Sequence, residues 1–261
     1  MNSEAVAFEG ATVRVDRRTI LGPVDLCVRT GQQWVFLGPN GSGKTTLLSL
    51  AGAWRQPSAG AVQVLGVELG RTDVRRLRRR IGHVSHAVAD RLRPQARAID
   101  VVLTGKASVL ETWSQELGSA DRERALVALT DMGCGELALR PLAACSLGER
   151  QRILIARALF GARPLVLFDE PAAGLDLPAR ERLLSAMSSI AERRDGPTTL
   201  LATHHLEEIP PTVTHGALLR RGRVFAAGPV DDVVSEGALS ACFEMDVAVE
   251  RRDGRWAARA R

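Results

Sequence analysis

Gly38–Thr45 reads GPNGSGKT, between an apolar run, QQWVFL at Gln32–Leu37, and a helix-forming run that continues through TLLSLAGAW. A short strand, a glycine-rich turn and a helix, in that order, are the setting that the pattern G-x-x-x-x-G-K-[ST] requires. Glycine lets the backbone turn tightly enough for successive N–H groups to face one anion, and the helix that follows adds its positive end. In such a loop Lys44 reaches the β- and γ-phosphates of a nucleotide and Thr45 offers its hydroxyl to Mg²⁺. The competing reading is a glycine-rich turn that happens to contain Lys-Thr, and the strand and helix on either side argue against it. Composition adds a second signal: lysine occurs only at Lys44 and Lys106, while arginine is abundant. A lysine retained in such a chain marks a place for a compact point charge, where the planar guanidinium fork does not serve.

The remaining bulk properties exclude more than they identify. The chain has 261 residues, 45% hydrophobic and 25% charged, as in an ordinary water-soluble domain of generous size. No apolar run approaches the ~18 residues of a membrane helix. The opening MNSEAVAFEG lacks the layout of a secretory signal, so the expected location is the cytoplasm, with membrane contact made through a partner. Cys27, Cys134, Cys145 and Cys242 are scattered without a C-x-x-C pair, which fits reduced thiols better than a zinc site or disulfide framework. The net charge of +5 is diffuse apart from RRLRRR at Arg75–Arg80, which reads as a solvated helix face. Tyrosine is absent and other aromatics are few, leaving no stacking platform for single strands, so no nucleic-acid partner is expected.

Downstream, GAVQVLGVELG reads as a hairpin. Helical periodicity then dominates from about Ala87 to Ala144, as in DRERALVALTDMG, where Ala125, Leu126, Leu129 and Met132 are placed on one face. SLGERQRILIARALFG predicts a strong helix closed by Gly161, with Pro164 beyond. PLVLFDE and TTLLATHH predict buried strands, and ALLRRGRVFAAG a hairpin turning at Arg221-Gly222. Strands alternating with helices predict an α/β fold with a parallel sheet and a helical insertion.

PLVLFDE ends in two carboxylates, Asp169 and Glu170. If both lie on the strand they point to opposite sides, so Asp169 holds Mg²⁺ while Glu170 positions or activates an attacking water. Alone this is a weak signal, because many strands end in polar residues. In SLGER, Ser146 and Glu149 fit a capping box, and a capped helix start with Gly148 beside it is also an anion site.

Phosphate loop, helical insertion, SLGER, LVLFDE, AGLD (Ala173–Asp176) and ATHH (Ala202–His205), in this order over Glu4–Gly228, resemble the ATP-binding subunits of ABC transporters. The resemblance implies a P-loop NTPase fold: a RecA-like core with an antiparallel β-subdomain at residues 4–86 and 160–228, a helical subdomain at about 87–159, and an appendage or tail at 229–261. It implies ATP and Mg²⁺, and a nucleotide set of Gly38, Pro39, Asn40, Gly41, Ser42, Gly43, Lys44, Thr45 and Thr46. Thr45 and Asp169 are implied on the metal, with Glu170 and the switch histidine His204 as catalytic groups. The family closes as a head-to-tail homodimer on two ATP molecules, with Ser146, Gly148 and Glu149 supplied in trans against the γ-phosphate. A separate integral-membrane permease is implied, received by roughly Ala87–Leu110, together with an extracytoplasmic binding protein in systems that use one. The chain is then peripheral on the cytoplasmic face. GQQWVFLGPNGSGKTTLL and THHLEEIPPTVTHGALL look like the branch associated with molybdenum and iron-complex transport. The rival class is a soluble ABC ATPase acting on nucleic acid or ribosomes, which often carries two cassettes where this chain has one.

Two positions depart from the family. Val15 falls where an aromatic ring usually stacks on adenine, so weaker adenine preference is expected. IGHVSH at Ile81–His86 replaces the usual IGYVSQ, putting His86 where glutamine reaches Mg²⁺ and the attacking water. Only neutral imidazole can accept from a metal-bound water, which makes turnover pH-sensitive if His86 does the glutamine's work. His83 and His86 by spacing alone fit a metal dyad or a catalytic pair; within the resemblance His83 is a strand residue without a ligand role.

Overall fold

The computed structural model describes residues 3–71, 73–107 and 118–261; of the expected permease surface at Ala87–Leu110, residues 108–110 lie outside them. The chain opens with strands β1 (Glu4–Val15), β2 (Arg18–Arg29) and β3 (Gln33–Leu37), then helix α1 (Lys44–Ala51). Next come β4 (Ala59–Val64), β5 (Val67–Glu68), α2 (Val74–Arg78), β6 (Ile81–Val84) and the single turn α3 (His86–Ala89). Helices α4 (Ala98–Leu103), α5 (Ser119–Asp131) and α6 (Leu147–Leu159) precede β7 (Leu165–Asp169), α7 (Leu177–Ala191) and β8 (Thr198–Ala202). The chain closes with β9 (His215–Arg220), β10 (Arg223–Pro229), α8 (Val230–Val233), α9 (Glu236–Phe243), β11 (Val247–Arg252) and β12 (Arg255–Ala260).

The central sheet runs β10-β9-β3-β8-β7-β6, parallel from β9 to β6, with β10 antiparallel at its edge. Its middle strands carry unbroken apolar runs, at residues 34–37, 165–168 and 200–202, because both faces are covered. Trp34 and Phe36 of β3, Leu165 and Leu167 of β7, and Leu200 of β8 face one core, shared with α1 and the antiparallel sheet β2-β1-β4-β5. Val35 and Leu37, Val166 and Phe168, and Leu201 face the other core, shared with α4–α7 and the C-terminal helices. The strand period of two thus separates two hydrophobic layers.

Helix α5 and its C-cap bury Ala125, Leu129 and Met132, spaced i, i+4, i+7, but Leu126 is 44% exposed and does not share that face. One residue past the i position turns the side chain by about 100°, out of a narrow apolar stripe. The arginine run at 75–80 is tied in at one point: Arg78 donates to the carbonyl of Ala53 at 2.7 Å and lies over the Trp54 ring. Both expected hairpins form, β4–β5 and β9–β10. Residues 230–260 fold into α8, α9 and the antiparallel hairpin β11–β12, with Trp256 buried in the second core. Among the described residues no helix is long and apolar enough to cross a membrane.

Candidate active site

β3 ends at Leu37 and the backbone turns through Gly38, Gly41 and Gly43, all with positive φ. Gly38 is the most constrained, since a Cβ there would lie 2.1 Å from the Leu219 carbonyl oxygen of β9. A Cβ on Gly41 would meet nothing, so the loop's outer side is open. Helix α1 starts from left-handed Gly43 without any side-chain cap, which leaves its first N–H groups for an external acceptor. The Ser42 hydroxyl is buried and has no partner, an orphan donor that fits an anion held by the loop.

Lys44 is 5% exposed, and its ammonium donates to the carbonyls of Gly38 at 2.8 Å and Pro39 at 3.1 Å. Burial lowers its pKa, opposed by the charges of Glu170 and Asp169. These carboxylates come from β7, whose last residue is Asp169. Thr45 donates its hydroxyl to Asp169 Oδ1 at 3.1 Å. Burial raises the Asp169 pKa and the Thr45 hydrogen bond opposes it. Two adjacent hard oxygens fit Mg²⁺, which takes one or two protein ligands and completes its shell with phosphate and water. Among the described residues no group of three or more His, Cys, Asp or Glu could form a protein-only metal cage.

Glu170 is not on the strand. Its φ of 48° is left-handed, and its N–H donates to the Ala202 carbonyl at 2.9 Å. The two carboxylates diverge because the chain turns between them, which corrects the alternation expected of two strand neighbours. Glu170 Oε1 lies 3.2 Å from His204 Nδ1, both side chains about one-third exposed. The His204 loop is held from beneath: Thr203 donates its hydroxyl to buried Glu208 and accepts from the His205 N–H at 3.1 Å. His205 is exposed and its ring lies 4.0 Å from that of His204.

Lys44, Thr45, Asp169, Glu170 and His204 therefore meet at the C-terminal ends of three adjacent parallel strands. Other expected residues stand apart. Ser146 and Glu149 form the capping box of α6: Glu149 N–H donates to Ser146 Oγ at 3.2 Å, and Ser146 N–H to Glu149 Oε2 at 2.8 Å. Neither hydrogen-bonds the phosphate loop. Gly148 is needed for packing as well, since a Cβ would stand 2.7 Å from Ala179 Cβ at the start of α7. Val15 ends β1, 40% exposed, and Thr46 is half-buried on α1 with its carbonyl accepting from Ser49. His86 is exposed at the first position of α3; its charge reaches Asp169, but no hydrogen bond of Thr45, Asp169 or Glu170 involves it. His83 points inward, with both ring nitrogens buried and unpartnered; burial and then nearby Arg157 lower its pKa to about 4.

Three supports were not foreseen. Gly222, in the β9–β10 turn, donates to the Ser42 carbonyl at 3.0 Å and accepts from Gly22 N–H at 2.6 Å, tying the phosphate loop to β2. Glu208 underpins the histidine loop, and Arg255 reaches that loop from the C-terminal hairpin. One of the two glutamates in LEEIPP and one of the five arginines in RRDGRWAARAR carry no pattern that announces either role.

The fold and the clustered groups define a P-loop nucleoside triphosphatase cassette. The family described as ABC transporter matches residues 21–173. The uncharacterized ABC transporter ATP-binding protein YlmA of Bacillus subtilis is 38% identical, over 93% of this chain and 92% of its own. The hemin import ATP-binding protein HmuV of Streptomyces coelicolor is 32% identical, over 93% and 84%. Among solved structures, the dimeric ATP-binding cassette MJ0796, in a post-hydrolysis state bound to ADP and Pi, superposes with a TM-score of 0.74. It is 26% identical, over 86% of this chain and 98% of that one. The chain belongs to the ABC transporter family, as an ATP-binding, ATP-hydrolysing component.

Proposed function

We propose that the chain powers an uptake system as a head-to-tail homodimer seated on a separate membrane permease at the cytoplasmic face. The observation that carries this reading is that no hydrogen bond joins the two anion-binding elements. Ser146 and Glu149 hydrogen-bond each other at the start of α6, while Lys44 and Thr45 bond Gly38, Pro39 and Asp169. The far side of a bound triphosphate is then free to be met by Ser146 and Gly148 of a second copy. The direction of transport rests on the importing relative; the cargo is chosen by the permease and any binding protein. In this reading residues 4–86 and 160–228 form the catalytic and β-subdomains, 87–159 the helical subdomain, and 229–261 an appendage.

Within each site, the loop N–H groups and Lys44 bind and orient the β- and γ-phosphates. Thr45 and Asp169 hold Mg²⁺, which supplies charge neutralisation at the phosphates. Glu170 takes the proton of the attacking water, and His204 holds Glu170 and the γ-phosphate in register. His86 stands in for the usual glutamine. Overlapping pH–turnover profiles of wild type and His86→Gln would count against that substitution of roles.

Glu170→Gln tests the whole reading. It is expected to bind ATP, run as a dimer in size-exclusion chromatography with ATP, and lose at least ~100-fold in kcat. Wild-type turnover would remove Glu170 from the base role, and a monomer at saturating ATP would remove the homodimer. Co-purification of a polytopic membrane protein, with cargo-stimulated ATPase activity, tests the permease. Stable association with ribosomes instead would favour the rival class.

A further inference from the structure

The β11–β12 hairpin takes no part in the chemistry above, yet it grips the loop that carries His204. Its turn end is anchored by Trp256, 8% exposed, with the Arg251 guanidinium 4.6 Å from the ring centroid. From that end Arg255 reaches two separate elements. Its Nη1 and Nη2 donate to the two carboxylate oxygens of Glu181 at 2.7 and 3.2 Å. Nη2 also donates to the Glu207 carbonyl at 2.7 Å. Glu181 lies in the first turns of α7, whose N-cap Asp176 ends the loop that leaves Glu170. Glu207 lies in the 3₁₀ turn Leu206–Glu208, directly after His204 and His205.

Two further contacts hold the same loop. Ala258 N–H approaches Glu207 Oε1 at 3.5 Å, and the hairpin turn rests on Pro211, 3.3 Å from where a Cβ on Gly254 would be. On this side His204 and His205 border a cavity of about 260 Å³, whose other walls include Phe243, Met245 and Val247. The hairpin contacts thus add to the Thr203–Glu208 hydrogen bond that holds the loop from beneath. The pairing also holds the Glu181 carboxyl below its usual range, with Arg255 the largest cause.

We infer that Arg255 is a positioning residue for ATP hydrolysis, fixing the His204 loop against α7 and so setting the contact between His204 and Glu170. This rests on the reading of His204 and Glu170 as the catalytic pair. A bidentate guanidinium bridging a carboxylate and a carbonyl holds a distance that an ammonium cannot hold in the same way.

Steady-state ATPase measurements on the full chain test it. Arg255→Ala is expected to lower kcat about tenfold, since small misplacements of reacting groups cost that much, with KM for ATP changed less than twofold. Arg255→Lys, which keeps the Glu181 pair but not the fork, should fall between. In a His204→Ala background, Arg255→Ala should add no further loss, because residues acting through one contact are not additive. The imidazole ¹⁵N signals of His204 and His205 should shift in Arg255→Ala while those of His83 and His215 stay; if His204→Ala is inactive, these signals decide. Wild-type kcat, equal losses in kcat and ATP affinity, unmoved His204 signals, or a full additional loss in the His204→Ala background would each overturn the inference. Wild-type turnover in His204→Ala itself would instead overturn the reading of His204, whatever Arg255→Ala does.

Discussion

Lys44 shows why an arginine-rich chain keeps a lysine. Lys44 is 5% exposed, and its ammonium sits between two loop carbonyls, 2.8 and 3.1 Å away, in a space a point charge fits and a planar fork does not. Lys44→Arg, although it preserves charge, is expected to weaken ATP binding at least ~100-fold, about 3 kcal/mol, measured by calorimetry or a fluorescent analogue. Binding within threefold of wild type would mean that charge alone suffices. Gly38 is constrained differently, by a backbone oxygen that cannot swing aside. Gly38→Ala should destabilise the fold by about 3 kcal/mol or more, seen as a lower denaturant midpoint even without nucleotide.

At the scale of elements, β6 carries an electrostatic liability among buried Ile81, Gly82 and Val84. Both ring nitrogens of His83 are buried without a hydrogen-bond partner, and its folded-state pKa of about 4 lies below the ordinary imidazole value. Between the two values the unfolded chain binds a proton that the folded chain refuses, so stability rises with pH there. The stability is complete above about pH 6.5 and falls by up to ~1.4 kcal/mol per unit as pH drops toward 4. Denaturant midpoints at pH 7.5 and 5 should therefore diverge more for wild type than for His83→Phe; equal divergence would show that His83 is not the group responsible. The α6–α7 junction is the other sensitive element. Gly148→Ala would press its Cβ onto Ala179 at 2.7 Å and separate the two helix starts. Thermal melts should show a destabilisation of roughly 1–3 kcal/mol, the range for overpacking. An unchanged melt with lost turnover would assign Gly148 to the nucleotide alone.

For the whole molecule, the proposed homodimer makes each site from two copies, the phosphate loop of one and the α6 start of the other. Lys44→Ala chains keep the α6 start and lose the phosphate loop; Ser146→Asp chains do the reverse, with added charge repulsion toward phosphate. Each alone should be inactive. Mixed, they form heterodimers with one intact composite site, so turnover should reappear on mixing. A mixture as inactive as its components would argue that each site is completed within one chain.

The phosphate loop, the Asp169-Glu170 pair and the capping box were legible in the residues themselves, because each depends on local backbone chemistry: a strand end, a glycine turn, a helix start; His204 was singled out only by the family resemblance. The same locality made the β4–β5 and β9–β10 hairpins readable. What failed was local reasoning extended one step too far. Leu126 was placed on a buried face that three-dimensional packing makes too narrow, and Glu170 was kept on a strand that ends one residue earlier. The supports at Gly222 and Arg255 left no trace in the sequence, since each acts on residues distant along the chain and through backbone carbonyls that any residue provides; Glu208 bonds Thr203 only five residues away, but as a side-chain pair that no pattern marks. The sequence by itself determined which groups could bind and cleave a nucleotide; only the tertiary structure decided how they are held, because distances between separate elements are set by packing and hydrogen bonds that no local pattern encodes.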